Sequence, residues 1–327
     1  MEKIQVIIIT HNRPDFVTES VESVLNQTYP NVELIVSDNS SNNLTQEIIN
    51  KKNYKNIKYI RRKIVYGPIE HLNCALQEVT SNYFMIFHDD DVMFENMVET
   101  MYDILSKNEN IVAVGANGFF TLNKKVTKEK IFKSSEKSIV LQNNIEVAGH
   151  YLIRNGIVPF PSYLYKKVVA QKLQFDSSEG GVFSDMTFIM KTATLGNILF
   201  LEQPLMNYYV HTENDHVPDF YLNNTKVISF IRRTTDSKKN GALIKAYRIK
   251  AIYMEFKQGI LSGRILLLSG RYYRLLSILF KSSTFDYFPR ILIISLLRIF
   301  NISTTKMKIT PNTAILNSHH DCPLKID

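Results

Sequence analysis

Three consecutive carboxylates, Asp89-Asp90-Asp91, follow directly on the apolar run Tyr83-Phe84-Met85-Ile86-Phe87. Such a run predicts a buried strand over residues 83–88, so the acids are pushed together at an apolar edge, where like charges repel and raise one another's pKa. A divalent cation is the natural compensation. Oxygen ligands suit Mg²⁺ or Mn²⁺, which take one or two carboxylates and leave the other positions to water and substrate phosphate. A diphosphate substrate follows from that chemistry. The competing reading is a solvated acidic turn, or capping residues for a helix over 92–105.

The elements around this motif decide where it sits. Continuous β-branched residues predict a fully buried strand over 4–10, and Pro14 then stands where a first helical position would be. Phe16, Val17, Val21, Val24 and Leu25 follow at helical spacing. Further strands are expected over 32–37, 57–61, 111–115 and 198–201, with a helix over 69–79 after Gly67-Pro68. The lysine-rich stretch 124–137 reads as a solvated loop or hairpin. Alternating strands and crossover helices predict an α/β fold with a mostly parallel sheet. In open sheets of that kind, ligands bind beyond the carboxyl ends of the strands. Three polar clusters fall there, residues 10–13, 38–42 and 88–91, which argues for one site. No GxGxxG follows the first strand and no GxxxxGK[ST] occurs, so neither a dinucleotide turn nor a P-loop holds the phosphates. Asp38, at a strand end, has the acceptor chemistry for a base N–H, or for an Asx-turn.

The segments Val6-Ile7-Ile8-Ile9-Thr10-His11-Asn12-Arg13 and Ser20-Val21-Glu22-Ser23-Val24-Leu25-Asn26-Gln27-Thr28-Tyr29-Pro30, continuing to Asp38-Asn39-Ser40, resemble the opening of glycosyltransferase family two. The likeness continues through Asn73, Asp89 to Asp91 and Phe183-Ser184-Asp185, and ends near His211. It implies a GT-A nucleotide-diphospho-sugar transferase sandwich, Rossmann-like, that moves a sugar from a nucleoside diphosphate to an acceptor hydroxyl with inversion. Carried over, it gives Thr10, Arg13, Asp38, Arg61 or Arg62, and Asn73 to the nucleotide, with Asp38 on the base, commonly uracil. Asp91 and then Asp89 would ligate Mn²⁺ or Mg²⁺, with Asp90 reaching ribose or donor sugar. Asp185 would be the general base beside the acceptor hydroxyl. His211 would complete the metal shell or contact the diphosphate. Relatives often show Asp-x-Asp-Asp at the acid motif, Glu before the base and Arg ahead of the final His. This sequence has His88, Ser184 and Val210 there. His88 itself reads as a structural residue at a strand end, and Asp185 has a competing reading as the cap of a helix over 186–195.

The 327 residues, 45% hydrophobic and 21% charged, suffice for one large domain or one domain with an attachment. Cys74 and Cys322 are too few for a disulfide framework, and the opening residues lack a signal-peptide pattern, so a cytoplasmic setting is expected. Charge is uneven: residues 226–300 hold 15 Lys or Arg against three acids, whereas residues 1–225 hold 21 against 26. This predicts a catalytic domain over 1–225 and a basic, mainly α-helical C-terminal extension over 226–327. Arg264, Arg271, Arg274 and Lys281 share one helical face among aliphatic and aromatic neighbours, which suits an anionic membrane surface, inner-face peripheral attachment and a lipid-linked saccharide acceptor. The same helices could instead pack on the sheet or on another subunit. Nucleic acid is not an expected partner, as no recognised motif accompanies the charge. Two other readings compete: a sugar nucleotidyltransferase, which would need a glycine-rich loop where residues 10–14 have none, and a catalytically silent nucleotide-binding membrane scaffold.

Overall fold

The computed structural model describes residues 1–122, 125–132, 137–153, 159–210 and 220–235, with residues 241 and 244. The chain divides into two compact units, Met1–Phe230 and Ile231–Asp327. His211 and the C-terminal cationic face lie outside the described residues.

The first unit begins as the apolar pattern requires. β1 (Ile4–Thr10) is hydrogen-bonded in parallel to β2 (Val32–Asp38) on one side and β4 (Tyr83–His88) on the other, and β3 (Ile57–Arg61) continues from β2. Helices α1 (Pro14–Leu25), α2 (Leu44–Lys52) and α3 (Pro68–Gln77) make the crossovers. A central parallel strand is covered on both faces, and Ile4, Val6, Ile7 and Ile8 are all fully buried. Each such side chain stabilises the fold by about 1.5–3 kcal/mol relative to exposure. Pro14 occupies the first turn of α1, where its missing N–H costs nothing.

The second half is mixed. The acidic motif leads into β5 (Val92–Met93) and then α4 (Met97–Lys107), so the helix entertained from residue 92 starts later. The reason is pairing: Val92 and Met93 lie opposite Asn207 and Met206. β6 (Ile111–Leu122) and β10 (Asn197–Val210) run parallel and extend well past the stretches their apolar runs suggested. β7 (Lys125–Lys130) folds back on β6, β8 (Ser138–Leu141) pairs with β10, and α5 (Asn144–Ile153) follows. β9 (Tyr163–Lys166) is inserted antiparallel between β4 and β6. Short helices α6 (Val168–Lys172) and α7 (Ser177–Gly180) precede α8 (Ser184–Thr192), and α9 (Phe220–Thr234) comes last. The sheet order is β3-β2-β1-β4-β9-β6-β10-β5. Among the described residues no helix is long and apolar enough to cross a membrane.

Candidate active site

The ends of β1, β2 and β4 carry Thr10, Asp38 and His88 to one edge of the sheet, and a cleft of about 590 Å³ lies there. Thr10, Arg13, His88, Asp89 and Asp90 line it, joined by His71 from α3 and by Tyr208 and Tyr209 from β10. A left-handed turn at Asn12 (φ 56°) lifts Arg13 toward the acids. Asn tolerates that conformation, and here its main chain and side chain are held by Ser40 and Ser41. Arg13 Nη1 then donates to Asp90 Oδ2 at 2.5 Å and to Asp89 Oδ1 at 3.3 Å.

The acidic loop is clamped by two serines of α1 and by Gln27, just past its C-cap. Ser20 Oγ donates to the His88 carbonyl, Ser23 Oγ accepts from Met93 N, and Gln27 bridges the Phe94 carbonyl and Val98 N. A spacing of three residues puts Ser20 and Ser23 on one face of α1. That spacing was visible in the sequence, but its meaning depends on knowing which loop packs beneath it.

One guanidinium faces three carboxylates. Burial, and next the charge on Asp90, push the Asp89 carboxyl up to about 6 and raise Asp91 well above the ordinary range. Asp91 is 1% exposed. Its Oδ1 accepts from Tyr209 N at 2.9 Å, while its Oδ2 is buried without a hydrogen-bond partner. Ligand atoms from His88, Asp90 and Asp91 all lie within 4.8 Å of one another. This set fits a divalent cation, because the orphaned oxygen and the surplus negative charge are what a cation would satisfy. His88, read from sequence as structural, thus joins the group; Asp89 is not in it, though its Oδ2, like that of Asp91, is buried without a hydrogen-bond partner.

Asp38 and Arg61 are brought together but not to the cleft wall. Asp38 is fully buried and accepts from Ser40 N, from the Tyr59 hydroxyl and from Arg61 Nη1 at 2.5 Å. Burial works against its charge, yet these donors outweigh it and hold the carboxyl below its ordinary value. Asn73 is not among the cleft residues: its amide exchanges two hydrogen bonds with the Phe175 main chain, at 2.9 and 3.0 Å.

Asp185 sits in the first turn of α8, and the cap position belongs to Phe183. Ser184, two bonds deep in the preceding loop, starts the helix early and leaves Asp185 inside it, with Oδ1 accepting from Met186 N at 2.8 Å. Burial lifts its carboxyl to about 6. Asp185 does not line the cleft itself. An aromatic ladder links its helix to the acidic loop: His88 to Phe160 at 5.9 Å, Phe160 to Phe175 at 5.5 Å, and Phe175 stacked on Phe188 of α8 at 4.0 Å.

With this geometry in hand, comparison with known proteins is informative. Residues 5–159 match the sequence model described as Glycosyl transferase family 2. A UDP-Glc:alpha-D-GlcNAc-diphosphoundecaprenol beta-1,3-glucosyltransferase, WfaP of Escherichia coli, is 37% identical over 91 residues, 28% of this chain and 36% of that protein. A Campylobacter jejuni GalNAc(5)-diNAcBac-PP-undecaprenol beta-1,3-glucosyltransferase is 24% identical over 78% of this chain and 73% of its own. The matched stretch is about a third of the length of the E. coli relative and of a Haemophilus influenzae glycosyltransferase, at 36% each. Among solved structures, S. aureus TarS 1-349 with UDP superposes at a TM-score of 0.56 over 75% of this chain and 70% of that one, at 18% identity. A Pyrobaculum calidifontis mannosyltransferase with GDP-Man and Mn²⁺ superposes at 0.54 over 94% and 88%, at 14% identity. These likenesses show a shared GT-A fold.

Proposed function

We propose, since the chain belongs to glycosyl transferase family 2 through residues 5–159, that it moves a sugar from UDP to the hydroxyl of a lipid-linked saccharide, inverting the anomeric carbon. One observation carries the reading. His88 and Asp90 line the cleft, and grouped with them stands the buried Asp91, whose Oδ2 has no hydrogen-bond partner and whose charge no side chain pairs directly. When bound there, Mn²⁺ supplies Lewis-acid stabilisation of the departing diphosphate. The relatives that act on undecaprenol-linked sugars support the acceptor class, and the UDP and GDP-Man complexes of the structural neighbours support the donor class.

The chain's own residues do the remaining work. Arg13 fixes Asp89 and Asp90 so that the loop presents its ligands in one arrangement. Thr10 borders the same cleft, and Asp38 with Arg61 stiffens the strand ends behind it. Asp185 takes the proton from the acceptor hydroxyl: at neutral pH a carboxyl with a pKa of about 6 is mostly ionised, yet a better base than an ordinary carboxylate. His211 is proposed as a further ligand from the segment after β10. The catalytic domain is proposed to span 1–225, with residues 226–327 as a basic attachment to an anionic membrane face or to a second subunit.

The test is nucleotide release from UDP-, GDP- and dTDP-sugars in the presence of Mn²⁺ and an undecaprenyl-diphosphate saccharide. Release dependent on both metal and acceptor is expected. Absence of release from every donor would sink the reading.

A further inference from the structure

The cleft wall away from the acids is formed by Asn39, Tyr66, Pro68, His71 and Leu72. Most of its polar groups are already committed. The Asn39 amide donates to the Tyr66 carbonyl and accepts from Tyr66 N, at 2.9 and 2.8 Å. Asp38 is sealed behind the wall. His71 differs, because only one of its ring nitrogens is engaged.

The proton on that ring can be located from its neighbours. Arg62 donates Nε and Nη2 to Ser37 Oγ at 3.1 and 2.8 Å, which fills both acceptor positions of the hydroxyl. The single Ser37 hydroxyl proton therefore goes to His71 Nε2, 2.7 Å away. Nε2 accepts, so a neutral ring carries its proton on Nδ1. Burial first, and the Arg62 charge second, lower the ring's pKa to about 4, so His71 stays neutral across the physiological range. The result is a fixed, uncharged N–H donor on the wall of the cleft.

We propose that His71 Nδ1–H donates to a carbonyl oxygen of the donor's nucleobase, which makes His71 a specificity-determining residue with Ser37 and Arg62 holding its tautomer. The inference rests on the nucleotide-sugar reading above. A phosphate would call for a charged donor, and the phosphate end is already marked by Arg13 and the acids at the other side of the cleft. A ribose hydroxyl can donate or accept, so it gains little from a locked tautomer. A ring carbonyl only accepts, and uracil and guanine both carry one where adenine has none.

Two substitutions separate this role from a structural one. The amide nitrogen of Asn takes the place of Nδ1, whereas the amide oxygen of Gln takes the place of Nε2 and accepts from Ser37 Oγ. His71→Asn thus keeps the donor and loses the Ser37 link, while His71→Gln does the reverse. Binding is measured with Mn²⁺ to whichever of UDP or GDP the wild type holds more tightly. His71→Gln is expected to weaken it about tenfold and His71→Asn by less than about threefold, with inorganic pyrophosphate affinity unchanged in both. The reverse order, or an equal loss for pyrophosphate, would overturn the proposal. Nitrogen-15 histidine spectra of the wild type read the tautomer without any mutation: protonated Nδ1 from pH 5 to 8 is expected, and a protonated Nε2 would overturn it. A wild type that binds neither diphosphate would instead remove the nucleotide-sugar reading on which the inference stands.

Discussion

Asp38 and Asp91 stand two strands apart on the same edge of the sheet, both buried, and the fold treats them in opposite ways. Asp38, ending β2, receives a main-chain N–H, a phenol and a guanidinium, and its carboxyl is held below the ordinary value. Asp91, after β4, receives one main-chain N–H, keeps Oδ2 without a hydrogen bond at 3.8 Å from His88 Nδ1, and is raised well above that value. A buried carboxylate that the chain compensates itself is architecture. One that it leaves in deficit is a place for something else to bind, because an uncompensated buried charge is costly.

Removing each charge tests the contrast, and the largest effect is expected at Asp91. Asp91→Asn keeps an acceptor for Tyr209 N but removes the charge. Turnover with Mn²⁺ is expected to fall on the order of 10⁴-fold, the several kcal/mol a Lewis acid contributes to the transition state. The thermal stabilisation by Mn²⁺ with UDP should vanish with it, while the metal-free variant melts no lower than wild type. A metal-free melting point well below wild type would mean that Asp91 is architecture after all.

Asp185 is another carboxyl raised by desolvation, but on a helix rather than in the acidic loop. Asp185→Asn is expected to lower kcat about 10³-fold with UDP affinity unchanged. In wild type, kcat/KM should fall tenfold per pH unit below about 6 and be level above it, since the base must be ionised. The stability sign is opposite. A carboxyl raised above its unfolded value binds its proton more tightly in the native state, so its contribution is complete at low pH and is lost as pH rises through about 6. A flat rate profile between pH 5 and 8 would exclude Asp185 as the base.

Asp38→Asn should act on stability, not chemistry. It removes the charge that Tyr59 and Arg61 answer, and is expected to cost about 2 kcal/mol, read from urea unfolding at pH 7. Because the wild-type carboxyl is depressed, its contribution is present above the ordinary carboxylate range and fades as pH falls through its lowered value. The cost of the substitution should shrink in acid accordingly. Equal destabilisation at pH 3 and pH 7 would show that packing, not charge, is at stake.

The parallel half of the sheet was legible because its strands are buried on both faces and read as continuous apolar runs. β1, β3 and β4 start and end where the residues say. The mixed half was not. β9 is four residues long and β5 only two, and they exist through their partners in β4, β6 and β10, which no local pattern announces. The candidate site divided in the same way. The crowding of Asp89 to Asp91 was visible in the chain, whereas the entry of His88 into the group, the burial of Asp38 and the tie between Asn73 and Phe175 all depend on contacts distant in sequence.

The smallest predicted effect isolates burial from distance. Arg61–Asp38 and Lys107–Asp103 are both ion pairs at 2.5 Å, but the side chains of the first are 24% and 0% exposed and those of the second 68% and 61%. If separation set the energy, the two would matter alike. In water the attraction of the exposed pair is screened, and two long side chains must be ordered to hold it. Lys107→Ala is therefore expected to change unfolding free energy by less than about 0.5 kcal/mol, and 0.5 M salt should erase even that. The Asp38 substitution should keep most of its cost in the same salt, since its partners exclude the counter-ions. A salt-resistant loss of 1 kcal/mol or more at Lys107 would undo the argument that burial separates the compensated carboxylate from the surface ones.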